Sequence, residues 1–232
     1  ALSGLSWVAL SSDGGQTYAV SEAYAVYEAV SLGADGLYFV TVRVTDLAGN
    51  SGVFTQSIRL DTSGPAVADS LSGSGTNGVY DVGQSLTFTY SCADVDGCQA
   101  AASLDSTLAL VSGTSTNLDT LVAGTHQIVV TAVDSLGNQT STTVIFQVHA
   151  TAGGLIKAMG DGVASGHITC NTNAMVTKLQ AAQAAYARGD NVTAKGLLYT
   201  YLNQVSSQAG KGINSSLASL LTNWTQDLIS RT

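Results

Sequence analysis

Cysteine, histidine and carboxylate are the side chains in this sequence whose spacing could support chemistry. Cys92 and Cys98 stand on either side of Ala93-Asp-Val-Asp-Gly97, a spacing that allows a local disulfide across a turn. Cys170 is the odd one left over, in Thr169-Cys-Asn-Thr172. A buried free thiol is the default expectation for it, with capping or a link to another chain as the alternatives. Three dispersed cysteines and His126, His149 and His167 lack the paired ligand spacing of a zinc site. Asp94-Val-Asp-Gly97 begins like a calcium loop but lacks its later acidic ligands. Turn capping is the better account of Asp94 and Asp96, and also of Asp46 and Asp134 in two Asp-x-x-Gly-Asn turns, with calcium on Asp94 and Asp96 as the alternative.

The chain contains no Gly-x-Ser-x-Gly elbow, phosphate loop or His-Glu-x-x-His run. It is therefore expected not to be an enzyme, and to use no cofactor apart from the calcium alternative. Asn138, Asn191, Asn214 and Asn223 each open an Asn-x-Ser/Thr acceptor for N-glycosylation, a pattern that so Ser/Thr-rich a chain also meets by chance.

The elements that must position these residues are announced by a repeat. Gly36-Leu-Tyr-Phe-Val-Thr-Val-Arg-Val-Thr-Asp-Leu-Ala-Gly-Asn50 returns without a gap as Gly124-Thr-His-Gln-Ile-Val-Val-Thr-Ala-Val-Asp-Ser-Leu-Gly-Asn138, 88 residues on. Each copy alternates apolar residues at every second position: Tyr38, Val40, Val42 and Val44, then His126, Ile128, Val130 and Ala132. That predicts a strand, an Asp-x-x-Gly-Asn turn and a return strand, with one face buried. The copies are unequal, for the second has about 60 residues between Gly64-Pro65 and its glycine and the first has 35. The first module is thus expected to lack its opening strands.

Composition agrees with exported β-modules. The 232 residues are 45% hydrophobic and only 10% charged, enough for sizeable cores in two or three domains. A net charge of −8 excludes a general nucleic-acid binder, and no apolar run approaches the roughly 20 residues that cross a bilayer. Any signal peptide is expected to be removed or to lie outside the sequence. The charge is unevenly shared. Residues 1–150 carry 13 acids against Arg43 and Arg59, while residues 151–232 carry six Lys/Arg against Asp161, Asp190 and Asp227. Solvated faces that differ by domain are the ordinary explanation; steering of one subunit's basic end onto another's acidic end is the sharper one.

Three parts follow: an incomplete β-module at 1–63, a complete one at 64–150 and a helical region at 151–232, where the period changes from two to about 3.6. Asp61-Thr-Ser-Gly-Pro65 is the linker between the first two. Helical stripes are Met175, Leu179, Ala182 and Tyr186; Ala194, Leu198, Tyr201 and Val205; and Leu217, Leu220, Leu221, Trp224 and Leu228. A shorter helix is expected around Ile156, Met159 and Val163, and Gly189-Asp190 should join two helices into a hairpin.

Ser11-Ser-Asp-Gly-Gly-Gln-Thr-Tyr18 resembles the Asp-box hairpin, and also a hairpin of bacterial Ig-like surface repeats. Tyr90-Ser-Cys-Ala-Asp-Val-Asp-Gly-Cys98, Gly124-Thr-His and Asp134-Ser-Leu-Gly-Asn138 resemble tandem bacterial extracellular Ig-like (Big/HYR-like) repeats. The Cys92–Cys98 bridge fits that family's pattern. Leu155 to Asp190 and Leu202 to Ser216 resemble the FIMAH-type helical domain at the C-terminus of bacterial secreted and surface proteins. The resemblance implies two Ig-like sandwich modules, the first incomplete, followed by a small α-helical bundle, at an extracellular or cell-surface location.

An incomplete sandwich leaves strand edges and apolar side chains to be covered. The missing strands could be supplied by a preceding part of a longer array, made unnecessary by a different layout, or replaced by a neighbouring copy. The last is the expectation: a structural protein whose head-to-tail contacts build a surface fibre or filament, with residues 151–232 as the partner surface. The alternative is a non-polymeric spacer or adhesive module of a larger surface protein or secreted enzyme, binding carbohydrate or protein, with Trp7, Tyr18, Tyr24 and Tyr27 as its stacking surface.

Overall fold

The computed structural model describes residues 4–18, 20–22 and 31–231. The chain divides into two compact units, one formed by Ala1–Gly64 with Ser135–Asn138, the other by Pro65–Asp134 with Gln139–Thr232.

The first unit contains one antiparallel sheet of β1 (Leu5–Ser11), β2 (Val20–Glu22), β3 (Gly36–Asp46) and β4 (Ser51–Leu60), in the order β2-β1-β3-β4. Strands β3 and β4 pair without interruption from Gly36 opposite Leu60 to Thr45 opposite Ser51. Asp46 closes the hairpin: Oδ1 accepts the amides of Ala48 and Asn50, and Oδ2 accepts the Asn50 side chain. Gly49 sits at φ +87° in the same turn, where a side chain would be strained. The β1–β2 connection is organised by Asp13, whose carboxylate accepts the amides of Gln16 and Thr17 and the hydroxyls of Ser11 and Thr17. This gives the Ser-x-Asp-x-Gly-x-Thr sequence a structural role.

The second unit begins with β5 (Ala66–Gly73), β6 (Val79–Asp81), β7 (Ser85–Ala93), β8 (Cys98–Leu104), β9 (Leu108–Leu110), β10 (Ser115–Asn117), β11 (Gly124–Asp134) and β12 (Gln139–His149). They form a three-stranded sheet, β10-β7-β5, and a five-stranded sheet, β6-β12-β11-β8-β9. Leu86 and Phe88 of β7, Ile128 and Val130 of β11, and Phe146 and Val148 of β12 are all buried in one core. Two sheets enclosing one apolar layer make this an Ig-like β-sandwich.

The Cys92–Cys98 disulfide is formed. Its two cysteines lie in different sheets, so the turn they span is a crossing between layers. Chain-entropy arguments give a loop this short about 2 kcal/mol. Replacing both cysteines with serine should lower unfolding stability by about that amount in chemical denaturation, without changing the fold.

Four helices complete the unit: α1 (Ala152–Ala164), α2 (Asn173–Ala187), α3 (Asn191–Gln208) and α4 (Ser215–Ser230). Ala194, Leu198, Tyr201 and Val205 are fully buried, as the stripe requires, and so are Leu179, Ala182, Leu221 and Trp224. Gly189 turns at φ +77° and Asp190 caps α3 by accepting the Thr193 amide, which makes the expected αα-hairpin. Helix α1 departs from its expected face. Leu155, Ala158, Met159 and Gly162 point inward while Val163 is exposed. The reason is close approach to the sandwich: a Cβ at Gly154 would lie 2.5 Å from the Val82 carbonyl oxygen.

Sandwich and helices share one continuous core, from Phe88 and Phe146 through Leu155 and Met159 to Leu221 and Trp224. The junction is also hydrogen-bonded. Trp224 Nε1 donates to the Leu121 carbonyl (2.7 Å), the Ala123 amide to Asn223 Oδ1 (2.6 Å) and the Ala150 amide to Asp227 Oδ2 (2.8 Å); Arg231 donates to the Ala150 carbonyl. Residues 64–150 and 151–232, separate on sequence grounds, therefore fall almost entirely within one compact unit. Among the described residues, no helix is long and apolar enough to cross a membrane.

Candidate functional site

The four-stranded sheet of the first unit matches, strand for strand, part of the five-stranded sheet of the second. Shifting residue numbers by 88 carries β3 onto β11 and β4 onto β12. The antiparallel partner β1 then corresponds to β8, and β2 to β9. Two features of the second unit have no counterpart among the described residues of the first. One is the facing sheet β10-β7-β5; the other is β6, which pairs parallel with β12 at Gln147–His149 and covers its edge.

Exposure follows directly from that difference. On the face shared by Tyr38, Val40, Val42 and Val44, those four residues are only half-buried, and their β4 neighbours Phe54 and Ile58 are 65% and 41% exposed. The matching β11 residues and Phe146 of β12 are at 4% exposure or less. Coverage is graded across the sheet, since Leu10 on β1 is buried. On the opposite face, Leu37, Phe39 and Val53 are also exposed, whereas Ala9, Ser11, Thr41 and Thr45 are buried. The result is a β3–β4 hairpin with apolar side chains open on both faces, ending in a ten-residue edge strand whose residues Ser51–Arg59 are all exposed. Such an edge is a template for pairing with another chain.

The supports of this hairpin show how the repeat conserves a role with different chemistry. Tyr38 Oη bonds both the amide and the carbonyl of Ala34, four residues earlier. At the matching place His126 uses Nε2 to reach the Val122 carbonyl, also four residues earlier, and Nδ1 to reach Asp105 Oδ2. Either contact ties the preceding loop to its strand. Asp35 Oδ1 accepts the amide and hydroxyl of Thr62, fastening the chain after β4 to the loop before β3.

Hydrogen bonds to the ionised carboxylates hold Asp13, chiefly through Ser11 and then Thr17, and Asp35, chiefly through Thr62, below the ordinary value of 3.8. Between the folded and unfolded values the unfolded chain binds more protons, so the stabilisation is complete above about pH 4 and is lost as pH falls below it. Acid titration followed by NMR should therefore show the loops around Asp13 and Thr62 loosening below pH 4. Asp13→Asn should flatten that response at the first loop.

The remaining sequence-selected residues are placed as follows. Asp94 Oδ1 accepts the Asp96 amide, and the Gly97 amide donates to the Asp94 carbonyl, so this turn is capped internally. Asn191 opens α3 and is exposed; Asn214 caps α4 by accepting the Ser216 amide; Asn223 is engaged by Ala123; and Asn138 donates to the Asp61 carbonyl within the first unit. Cys170 is a half-buried free thiol, less enclosed than expected. Trp7 and Tyr18 are half-buried, with the Arg43 guanidinium 4.1 Å above the Tyr18 ring; Tyr24 and Tyr27 lie outside the described residues. Sequence reasoning missed the engagement of Asn223 and Trp224 with the loop 121–123, because nothing in a helical stripe announces a partner about 100 positions away.

No protein-family model and no curated protein matches the chain. Among solved structures it is similar to the fibronectin(III)-like modules of Clostridium thermocellum CbhA, at 18% identity, covering 65% of this chain and 81% of that one with a TM-score of 0.33. It is also similar to the amphioxus IgVJ-C2 molecule, at 16% identity, covering 63% and 91% with a TM-score of 0.32. A third similar structure is PcdhgB3 EC1-4, at 11% identity, covering 50% and 32% with a TM-score of 0.24.

Proposed function

We propose that this chain is a non-enzymatic extracellular structural protein of bacterial type, whose copies assemble head to tail into a surface fibre or filament. The observation that carries the proposal is the apolar Tyr38–Phe54–Ile58 face of the β3–β4 hairpin, open where the matching face of the β11–β12 hairpin, with His126, Ile128, Val130 and Phe146, is enclosed. A neighbour completes the module by packing on the Tyr38–Phe54–Ile58 face and lying along β4. In the second unit the covering strand runs parallel to β12 at Gln147–His149, so its analogue would run parallel to β4 around Arg59. With strands of 7, 3, 11 and 10 residues spaced about 4.8 Å apart, the sheet offers a face of about 500 Å², and contacts along the β4 edge add to it towards the ~800 Å² per partner of a standard interface.

The charge distribution supports the same polarity. The acidic first 150 residues would meet the basic residues 151–232 of the next copy, and a contact between unlike surfaces propagates unless it closes into a ring. The disulfide supports an oxidising compartment.

Hydrogen exchange tests this reading. Amides of Ser51–Leu60 should be protected in concentrated or fibrous material and should exchange faster on dilution, with assembly slowing as salt is raised. Identical β4 exchange at all concentrations would count against it.

A further inference from the structure

Within the second unit, a cleft of about 480 Å³ opens between the loop after β10 and the helices α1 and α4. Its size is within the usual range for small-molecule sites, about 300–1,000 Å³. Leu217 and Leu220 give it apolar surface, and its polar groups come from several separate segments: Asp119 from the loop, Lys157, Asp161 and Ser165 from α1 and its end, His167 beyond, and Asn214 at the start of α4.

Their hydrogen bonds fix what each can still offer a ligand. Lys157 Nζ donates to Asp161 Oδ2 (2.6 Å) and Asp119 Oδ2 (3.3 Å), which leaves one N–H, and its side chain is half exposed. Asp161 is 59% exposed and keeps acceptor capacity beyond that bond. The Ser165 hydroxyl lies 2.8 Å from the Asp161 carbonyl, 3.3 Å from that of Gly162 and 2.8 Å from His167 Nδ1, so it is fully engaged. It holds the His167 ring by Nδ1, which leaves Nε2 to donate or accept according to the tautomer. Asn214 spends its Oδ1 on the Ser216 amide and retains its NH₂ donors.

The cleft therefore displays donors from Lys157 and Asn214, an acceptor from Asp161 and the His167 ring nitrogen Nε2 around apolar surface. Charge selects among ligands. Two carboxylates outweigh the single ammonium, which leaves no surplus positive charge for an anion, while a cation would have to compete with Lys157 for the same carboxylates. A neutral polyhydroxylated ligand meets neither obstacle, because each hydroxyl both donates and accepts. We infer that this cleft between sandwich and helices binds a neutral saccharide unit, at a place distinct from the β3–β4 hairpin.

The test is titration of the ¹⁵N-labelled chain with the methyl glycosides of glucose, galactose, mannose and N-acetylglucosamine at millimolar concentrations. At least one should shift the amides of Asn117–Thr120, Ser165–His167 and Asn214–Leu217. Asp161→Asn and His167→Phe, whose exposed side chains leave the fold unchanged, should each weaken that response about tenfold. Absence of these shifts with all four glycosides, or shifts unaffected by both substitutions, would overturn the inference.

Discussion

Replacing Trp224 with alanine is expected to destabilise the second unit by at least about 4 kcal/mol. A buried Trp→Ala change costs about 3–5 kcal/mol in lost burial and cavity, and stranding the Leu121 carbonyl adds about 1–3 kcal/mol. Trp224 is fully buried in the shared core, and its indole N–H is the donor to that carbonyl. For a unit of this size the loss corresponds to a fall in melting temperature of roughly 10 °C or more. Sandwich and helices should melt together, because their apolar side chains form one cluster. Calorimetry of residues 65–232 would show a single transition in the parent, lowered in the variant. Two separate transitions, with the helices melting alone, would mean that residues 151–232 fold independently and that the continuous core contributes little coupling.

Introducing lysine at both Phe54 and Ile58 is expected to abolish assembly while leaving each copy folded. Both side chains are exposed, so the substitutions should change the stability of the isolated chain by only about 0.5 kcal/mol each. In an assembled module the same positions would lie beneath a neighbour. Each substitution then removes about 2 kcal/mol of apolar burial and places an ammonium in a dry interface, so the pair should weaken association by more than about 100-fold. Phe54 and Ile58 share a face with Val42 and Tyr38, their direct cross-strand partners, so the two lysines strike one continuous surface. The matched control is Thr143→Lys on β12, an exposed position on the outer face of the completed sandwich, which should leave assembly intact.

Much of this architecture is legible in the residues because alternation and helical period report directly on burial. The 88-residue repeat gives the β3–β4 and β11–β12 hairpins, and Asp46 with Gly49 closes the first of them as the turn chemistry requires. The inequality of the two copies is legible too, and among the described residues the first unit has no counterpart of β5, β6 and β7. What periodicity does not carry is the relation between elements distant in sequence. Trp224 reads as a core residue in a helical stripe, while its bond to Leu121 depends on how α4 meets a sandwich loop. The inward turn of Gly154 and Gly162 is likewise invisible to an apolar pattern, because a glycine faces a neighbour by having no side chain. Cys92 and Cys98 announce a bridge, but only the strand order shows that it joins two sheets.

Exposure of β4 is the point on which the functional account turns. The decisive measurement is mass photometry of the purified chain over a range of concentrations, paired with negative-stain electron microscopy of the same samples, for the parent and the Phe54→Lys/Ile58→Lys variant. The account predicts regular filaments and mass that grows with concentration in the parent, and a folded 23.5 kDa monomer throughout in the variant. A parent that stays a folded monomer at every concentration, or a variant that still forms the same filaments, would contradict assembly through the open sheet.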